Sequence, residues 1–353
     1  MTTSTAVDAL ASQRSSIDQV LHTFLSTPHF TEPELIHATS LLHDFVLDGG
    51  KRLRPSMCCV GYSAITGQDP PAAVLRAAAS LELFHAFALI HDDVMDCSDT
   101  RRGNPTLHRS LSRKASDLSG PADHDGISKA ILVGDLALVW SDQILHTSGL
   151  SPQQLHDARP VVDAMRTEVM GGQYLDVAAA GSENGDINAA LRIIRYKTAK
   201  YTIERPLHLG AVLGGATAQH LQTFTDYAMP LGEAFQLRDD LLGVFGDPMV
   251  TGKSRLDDLR EGKNTVLMGV ALRDTTPSQR QRLQQLWGKN DLTEGEAEQV
   301  RDILTVCGAR RTVEEMVETR HQQVLARLES SSLAPQATTR LRQLADAVTR
   351  RTL

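Results

Sequence analysis

The sequence has little cysteine, no long apolar run and no excess of positive charge. Four cysteines, Cys58, Cys59, Cys97 and Cys307, form neither a CxxC pair nor the even spacing of a disulfide scaffold, which fits a reducing compartment. No segment approaches about 18 uninterrupted apolar residues, so no membrane span is expected. The start, MTTSTAVDALASQRSS, has no cationic stretch followed by an apolar one, and a cytoplasmic protein is expected. With 36 Lys and Arg against 43 Asp and Glu, the net charge is -7 over 353 residues. The whole molecule therefore has no attraction for nucleic acid or anionic lipid, although a local basic pocket can hide inside an acidic total. Strict period-two runs of β-branched residues are hard to find, and no fixed period repeats, so sheets and solenoids are disfavoured.

Stretches rich in Ala, Leu, Glu, Gln and Arg, separated by short Gly, Pro, Ser and Asp punctuation, predict an all-α bundle. Length alone allows one domain or two. From Val74 to Asp96, Leu83, Phe87, Ile90 and Val94 recur at helical spacing as one apolar stripe, and another face carries His85, Asp92 and Asp96. Lys114–Gly126 reads as a polar loop, Gly181–Asp186 and Asp247–Ser254 as inter-helix loops, and residues 1–15 and the Arg-flanked C-terminal tail as mobile ends.

The strongest chemical signal is HDDVMD, His91–Asp96, followed by Arg101 and Arg102 in CSDTRRG. Asp92 and Asp96 lie one helical turn apart with Asp93 beside them. Carboxylates crowded in this way repel one another unless cations neutralise them, and a hard oxygen-seeking ion such as Mg²⁺, shared with substrate phosphates, does so. A solvated acidic helix end is the plain alternative. A second acid pair, Asp239 and Asp240 in AFQLRDDLLGVFGD, follows Gln236 among apolar Phe235, Leu237, Leu241 and Leu242, which predicts a helix packed mostly in the core. Two such clusters facing one cavity would hold several metals around one diphosphate.

Cations supply the complement. GGKRLRP puts Lys51, Arg52 and Arg54 after two glycines; Lys197 and Thr198 lie in YKTAKYT; Lys253 and Lys263 lie in TGKSRLDDLREGK. Arg forks grip phosphate oxygens bidentately and Lys gives a mobile point charge, an inventory that suits two diphosphates. Gly246–Ser254, GDPMVTGKS, imitates a nucleotide phosphate loop, but Asp247 stands where its first glycine belongs and no strand pattern precedes it. A nucleotide triphosphatase is disfavoured.

Six ordered motifs, GGKRLRP, HDDVMD with CSDTRRG, GGQYLD, YKTAKYT, FQLRDD and LREGK, together resemble the isoprenyl diphosphate synthase (polyprenyl synthetase) family, most of all bacterial geranylgeranyl diphosphate synthases of the actinobacterial type. The resemblance implies one all-α domain over residues 1–353, a large helical bundle surrounding a central active-site cavity. It implies Mg²⁺, three ions per site with Mn²⁺ as an alternative, on Asp92, Asp96 and Asp239, with Asp93 and Asp240 in support. Lys51, Arg54, His85 and Arg102 would hold isopentenyl diphosphate, with Gly50 offering close backbone approach. Arg101, Lys197, Lys253 and Lys263 would hold the allylic diphosphate (dimethylallyl, geranyl or farnesyl), and Gln173 and Asp176 would line the same cavity. A homodimer is also implied.

The sequence departs from the family pattern in two places. Its second acid motif usually reads DDxxD, yet Gly243 stands at the last position, and Ser254–Leu256 follow Lys253 where Pro and Gly are common. Activity is expected to survive because Asp239 carries most of the implied metal contact. The expected reaction is ionisation of the allylic diphosphate, attack by the double bond of isopentenyl diphosphate and loss of a proton, with oxygens of Gln236 and Thr198 steadying the cation. Product length is expected to depend on Phe84, Phe87 and Ala88. Ala88 lies directly below Asp92 on the helix, whereas Phe87 is about 140° round from it. Small Ala88 leaves room for the tail, and an aromatic five residues before the first motif with a small residue four before it is typical of twenty-carbon synthases in the family. A fifteen-carbon product, a class I terpene cyclase and a non-catalytic synthase subunit are the alternatives.

Overall fold

In a computed structural model, residues 3–112, 123–179, 185–247, 255–331 and 333–349 are described, and they are helical throughout apart from turns and one tiny hairpin. The chain divides into two compact units, Met1–Val161 with Pro206–Thr217, and Val162–Arg205 with Ala218–Leu353.

The first unit begins with α1 (Thr3–Leu25), α2 (Pro33–Leu47), α3 (Leu53–Thr66) and α4 (Ala72–Met95). The segment read as a mobile N-terminus is thus helical from Thr3. After α4 come strands β1 (Thr100–Arg101) and β2 (Asn104–Pro105), then α5 (Leu107–Ser110) and α6 (His124–His146). The polar stretch read as a loop over 114–126 therefore ends earlier: Asp123 caps α6 by accepting from the Gly126 N–H at 2.8 Å. Residues 114–122 lie outside the described residues.

Helix α4 is the centre of this unit. Leu81, Leu83, Phe84 and Ile90 are buried, alongside Ile17 and Leu21 of α1, Leu42 of α2 and Met57 of α3. Of the expected stripe, Leu83 and Ile90 are buried and Phe87 and Val94 are half-buried. By length and composition α4 is apolar enough to cross a membrane, but 61% of its apolar window is buried in the protein, as in the core helix of a folded unit. Its partner α6 presents buried Ala130, Gly134, Ala137 and Ser141 at three- and four-residue intervals. This small-residue row lets the two helices approach closely. A Cβ on Gly134 would fall 2.4 Å from Cε1 of His91, so the first residue of HDDVMD is seated on a glycine.

The second unit holds the part of α7 (Pro152–Ala179) from Val162 onward, α8 (Ile187–Ile193), a π-helix (Ile194–Glu204), α10 (Ala218–Phe245), α11 (Asp257–Glu261), α12 (Val266–Asp274), α13 (Pro277–Leu286), α14 (Glu294–Val306), α15 (Ala309–Glu329) and α16 (Pro335–Thr349). Helix α9 (Arg205–Leu213) returns the chain to the first unit from Pro206 onward. The core of the second unit gathers Leu237, Leu241 and Val244 of α10, Val266 and Val270 of α12, Leu283 of α13, Leu304 of α14 and Val313 of α15. Helices α13 and α14 each start with a reciprocal capping box, Thr276 with Gln279 and Thr293 with Glu296. On α10, Leu237 and Leu241 are buried as expected, while Phe235 and Leu242 are only half-buried.

Candidate active site

The first acid cluster stands at the C-terminal end of α4. Asp96 caps the helix, its N–H donating to the Asp92 carbonyl. Cys97 then takes a left-handed φ of 54°, and the chain enters the hairpin, whose two-residue turn is Arg102 (φ 53°) and Gly103 (φ 81°). Positive φ at both central residues matches the right-handed twist of the strands. Thr106 secures the hairpin, donating Oγ1–H to the Ser98 carbonyl at 2.8 Å.

The three carboxylates have different environments. Asp93 is 1% exposed and receives the Arg101 guanidinium at 2.6 Å from Nη2 and at 2.8 and 2.9 Å from Nε. Asp92 is 3.8 Å from the same guanidinium, and Asp92 and Asp96 are half-buried. Asp93 thus orients Arg101 from inside the unit, leaving the Asp92 and Asp96 face accessible to a cation.

The cations of GGKRLRP also divide. Arg52, at φ 50° and 3% exposed, donates from Nε to Asp18 at 2.6 Å and from Nη1 to Glu82 at 2.9 Å. It belongs to a buried ion network rather than to the phosphate-gripping inventory in which the sequence placed it. Gly50 has φ 89°, and a Cβ there would lie 3.2 Å from Arg52 Nη1 and 3.5 Å from Arg102 Nη2. A side chain would be strained at this φ and would press on the Arg52 guanidinium while touching that of Arg102. Arg102 donates to the Asp48 carbonyl at 2.7 Å, and Asn104 donates to the Asp48 carboxylate at 2.8 Å, so the hairpin is fastened to the glycine turn.

His85 lies on α4 two turns before the acid cluster. Burial first, and then Arg54, Arg101, Arg102 and Arg52, push its imidazole well below the ordinary histidine range. At neutral pH it is an uncharged donor and acceptor inside a field of four guanidiniums. Burial and neighbouring Arg101 also lower Arg102. Such a concentration of positive charge favours an anion.

In the second unit the motifs meet through a widened helix. Lys197 and Thr198 lie in the π-helix, a geometry that recurs at functional sites. A Cβ on Gly172 would lie 2.7 Å from the Lys197 backbone nitrogen, so GGQYLD presses against YKTAKYT. Lys197 Nζ reaches the Asp176 carboxylate at 2.7 Å. Thr198 donates to Oε1 of Gln236 at 2.7 Å, and Gln236 Nε2 donates to Asp240 at 2.8 Å. Glu233, one turn before Gln236, accepts Arg195 and Arg320, each at 2.7 Å, and so clamps α10 to the π-helix and α15. Asp240 is buried and Asp239 half-buried. Burial is the main cause that pushes the Asp240 carboxyl up to about 8, with Asp258 and Asp239 adding to it and Gln236 opposing it. At neutral pH Asp240 is therefore chiefly protonated, and Asp239 is the residue of the pair suited to a metal.

Among the described residues no three His, Cys, Asp or Glu side chains converge as a ready-made metal cage. The donors at the two motifs are all carboxylate oxygens, few in number, which fits Mg²⁺, an ion that takes one or two carboxylates and completes its shell with water and phosphate.

The sequence matches the model of the polyprenyl synthetase family over residues 37–304. The chain belongs to the polyprenyl synthetase family. It is similar to a geranylgeranyl pyrophosphate synthase from Corynebacterium glutamicum whose crystal structure is complexed with isoprenyl diphosphate and magnesium, with a TM-score of 0.91, 39% identity and coverage of 97% of this chain and 99% of that one. It is also similar to a geranylgeranyl diphosphate synthase of Methanosarcina mazei, 30% identical over 86% of each chain. A geranylfarnesyl diphosphate synthase of Aeropyrum pernix is 34% identical over 73% of this chain and 75% of its own length.

Within this polyprenyl synthetase the positions expected to set product length lie on α4. Phe84 is fully buried, its ring centroid 5.3 Å from that of Phe87, which in turn lies 4.6 Å from the His91 ring. Phe87 is thereby held in a row of rings, and half-buried Ala88 is the small residue one turn before Asp92. Lys253 lies outside the described residues. Lys263 is 2.6 Å from Glu261 and 3.9 Å from Asp258. Sequence reading missed the residues that position the others: Asp18, Asp48, Glu82, Asn104 and Glu233. Only Asp48, immediately before the two glycines, carried a local signal.

Proposed function

We propose that this polyprenyl synthetase is a magnesium-dependent geranylgeranyl diphosphate synthase, adding isopentenyl diphosphate to allylic diphosphates up to twenty carbons. The observation that carries this reading is the fastening of the Arg102 hairpin onto the glycine turn, where Arg102 Nη1 donates to the Asp48 carbonyl at 2.7 Å and its Nη2 lies 3.5 Å from the Cβ place of Gly50, with the His85 imidazole pushed well below its ordinary range by burial and by Arg54, Arg101 and Arg102. It provides an anion site made of cations, in addition to anion sites that need a metal, as a two-diphosphate reaction requires. A terpene cyclase needs only one.

In this reading Asp92 and Asp96 hold metal in the first unit and Asp239 holds it in the second. Bound Mg²⁺ supplies Lewis-acid stabilisation of the departing diphosphate. Lys51, Arg54 and Arg102 bind isopentenyl diphosphate through charge-assisted bonds, and neutral His85 adds a hydrogen bond without further charge. Gly50 keeps the backbone open beside them. Lys197 and Lys263 offer point charges to the allylic diphosphate in the second unit, and in the first Arg101, steadied by Asp93, offers a fixed fork to a phosphate. Asp176, 2.7 Å from Nζ, orients Lys197, and Gln173 lines the same cavity. Thr198 and Gln236 present oxygens to the allylic cation, and Asp240, accepting from Gln236 Nε2 at 2.8 Å, holds the amide in place.

The twenty-carbon product rests on Ala88. Incubation of the purified protein with Mg²⁺, isopentenyl diphosphate and each allylic primer, followed by mass spectrometry of the dephosphorylated products, tests it. Geranylgeraniol is expected. Farnesol, or the longer geranylfarnesol, would keep the chemistry and reject the role of Ala88. Assembly as a homodimer is supported by Leu132 and Val139, 67% and 59% exposed and two turns apart on α6. A single species of twice the chain mass in light scattering is the expected result, and a monomer would reject it.

A further inference from the structure

We propose that His91, seated on Gly134 of α6, is a positioning residue for product length that fixes where the ring of Phe87 stands; this rests on the reading that α4 sets the length of the product. In that reading small Ala88 leaves room for the growing tail, and the neighbouring aromatic ring limits how far it runs. Phe84, Phe87 and His91 follow one another at three- and four-residue intervals on α4, so their rings form a row along one side of the helix. The ring centroids are 5.3 Å apart for the first pair and 4.6 Å for the second. Phe84 is fully buried at one end of the row and cannot give way. The place of Phe87 is therefore decided by the ring at the other end, His91.

His91 is held from two helices. Its Nδ1–H donates to the Phe87 carbonyl one turn back at 3.0 Å, since a carbonyl can only accept, and this folds the imidazole down onto the phenyl ring. Nε2 lies 3.4 Å from the Asp135 carboxylate of α6. Beside Asp135 is Gly134, where a Cβ would fall 2.4 Å from Cε1 and 2.6 Å from Nδ1 of the imidazole. Gly134 stands in the middle of α6 and its φ is not left-handed, so helix geometry does not call for glycine, which is destabilising there relative to alanine. Its neighbours in the same row, Ala130 and Ala137, are alanines. What requires glycine at 134 is the His91 ring. Removing the imidazole frees Phe87 on that side, and filling the glycine seat presses the imidazole onto it.

The two changes predict opposite shifts. With dimethylallyl diphosphate as primer and fixed Mg²⁺ and isopentenyl diphosphate, mass spectrometry of the dephosphorylated products gives the ratios of fifteen-, twenty- and twenty-five-carbon chains. Compared at matched consumption of primer, these ratios do not depend on how much of each variant is folded, so a merely structural role leaves them unchanged. His91→Ala is expected to raise the ratio of twenty-five- to twenty-carbon chains about tenfold, and Gly134→Ala to raise that of fifteen- to twenty-carbon chains about tenfold, the discrimination that small changes in an apolar pocket give. His91→Ala combined with Gly134→Ala is expected to lose the shortening, since the added methyl group then meets no ring. Parent ratios in His91→Ala, while Phe87→Ala lengthens the product, would overturn the proposal and leave the reading of α4 standing; where His91→Ala gives no enzyme, parent ratios in Gly134→Ala do the same. An unchanged product in Phe87→Ala would overturn that reading, and the proposal with it.

Discussion

The two acid motifs solve one electrostatic problem in different ways. In the first, the spare carboxylate, Asp93, is buried and matched by a guanidinium at 2.6 Å. In the second, the spare carboxyl, Asp240, is buried beside a neutral amide and retains its proton because burial raises it to about 8. Without metal, one spare acid is held by an ion pair and the other is pushed toward its protonated form by burial. Each leaves half-buried acids for a metal, Asp92 and Asp96 in the first and Asp239 in the second. The surroundings differ accordingly. The first unit assembles arginines around a neutral histidine, whereas the second builds a hydrogen-bonded row of Thr198, Gln236 and Asp240. The lesson is that neighbouring letters of a DD pair need not share a charge state or a task.

Substitution of the acids proposed to hold metal should break the symmetry least and activity most. Asp92→Asn and Asp239→Asn are each expected to lower kcat by about 10²- to 10³-fold in steady-state assays, since in the proposed function each removes a carboxylate that holds metal. Their unfolding midpoints in urea should match that of the parent.

Next in size is the contrast between Arg52 and Arg54, two residues apart in GGKRLRP. Arg52→Ala strands Glu82 and should cost about 3–5 kcal/mol in urea unfolding, as for any buried pair broken from one side. Arg54→Ala should leave stability nearly intact and raise KM for isopentenyl diphosphate. Equal effects of the two on stability would remove the distinction between a scaffold arginine and a ligand arginine.

Gly172→Ala probes the second unit. Its Cβ would lie 2.7 Å from the Lys197 nitrogen, and the overpacking should cost about 1–3 kcal/mol in urea unfolding while displacing Lys197 and Thr198. The smallest expected effect is on pH dependence. Because His85 is depressed in the fold relative to about 6.5 in the unfolded chain, unfolding takes up a proton below that pH. Its contribution to stability is therefore complete above about 6.5 and declines as the pH falls toward the folded-state value. His85→Gln should flatten this part of the pH-stability curve, measured by urea unfolding between pH 7 and 5.

Much of this was legible in the sequence because the chemistry is carried by short runs of residues. HDDVMD, FQLRDD and the cation motifs lie where periodicity places helices, and Ala, Leu and Glu content suffices for an all-α architecture. The hairpin was not legible. Its turn is Arg102–Gly103, and an arginine at positive φ carries none of the Asn-Gly or Asp-Gly signal. Nor was the π-helix, whose IRYKTAKYTIE has ordinary helical composition; its widened turn reflects packing of Gly172 and Gly232 against its backbone. The buried ion pairs of Arg52 come with a left-handed backbone at that residue, which no residue type announces. The meeting of His91 with Gly134 joins separate helices, and sequence spacing pointed neither residue to the other.

The comparison turns on one claim: the arginine and histidine cluster binds a diphosphate without metal, whereas the carboxylate motifs require it. Calorimetric titration of the purified protein with isopentenyl diphosphate in the presence of a chelator tests this directly. The account predicts one saturable site per chain that survives in Asp92→Asn and is lost in Arg54→Ala combined with Arg102→Ala. Binding that appears only when Mg²⁺ is added would contradict it.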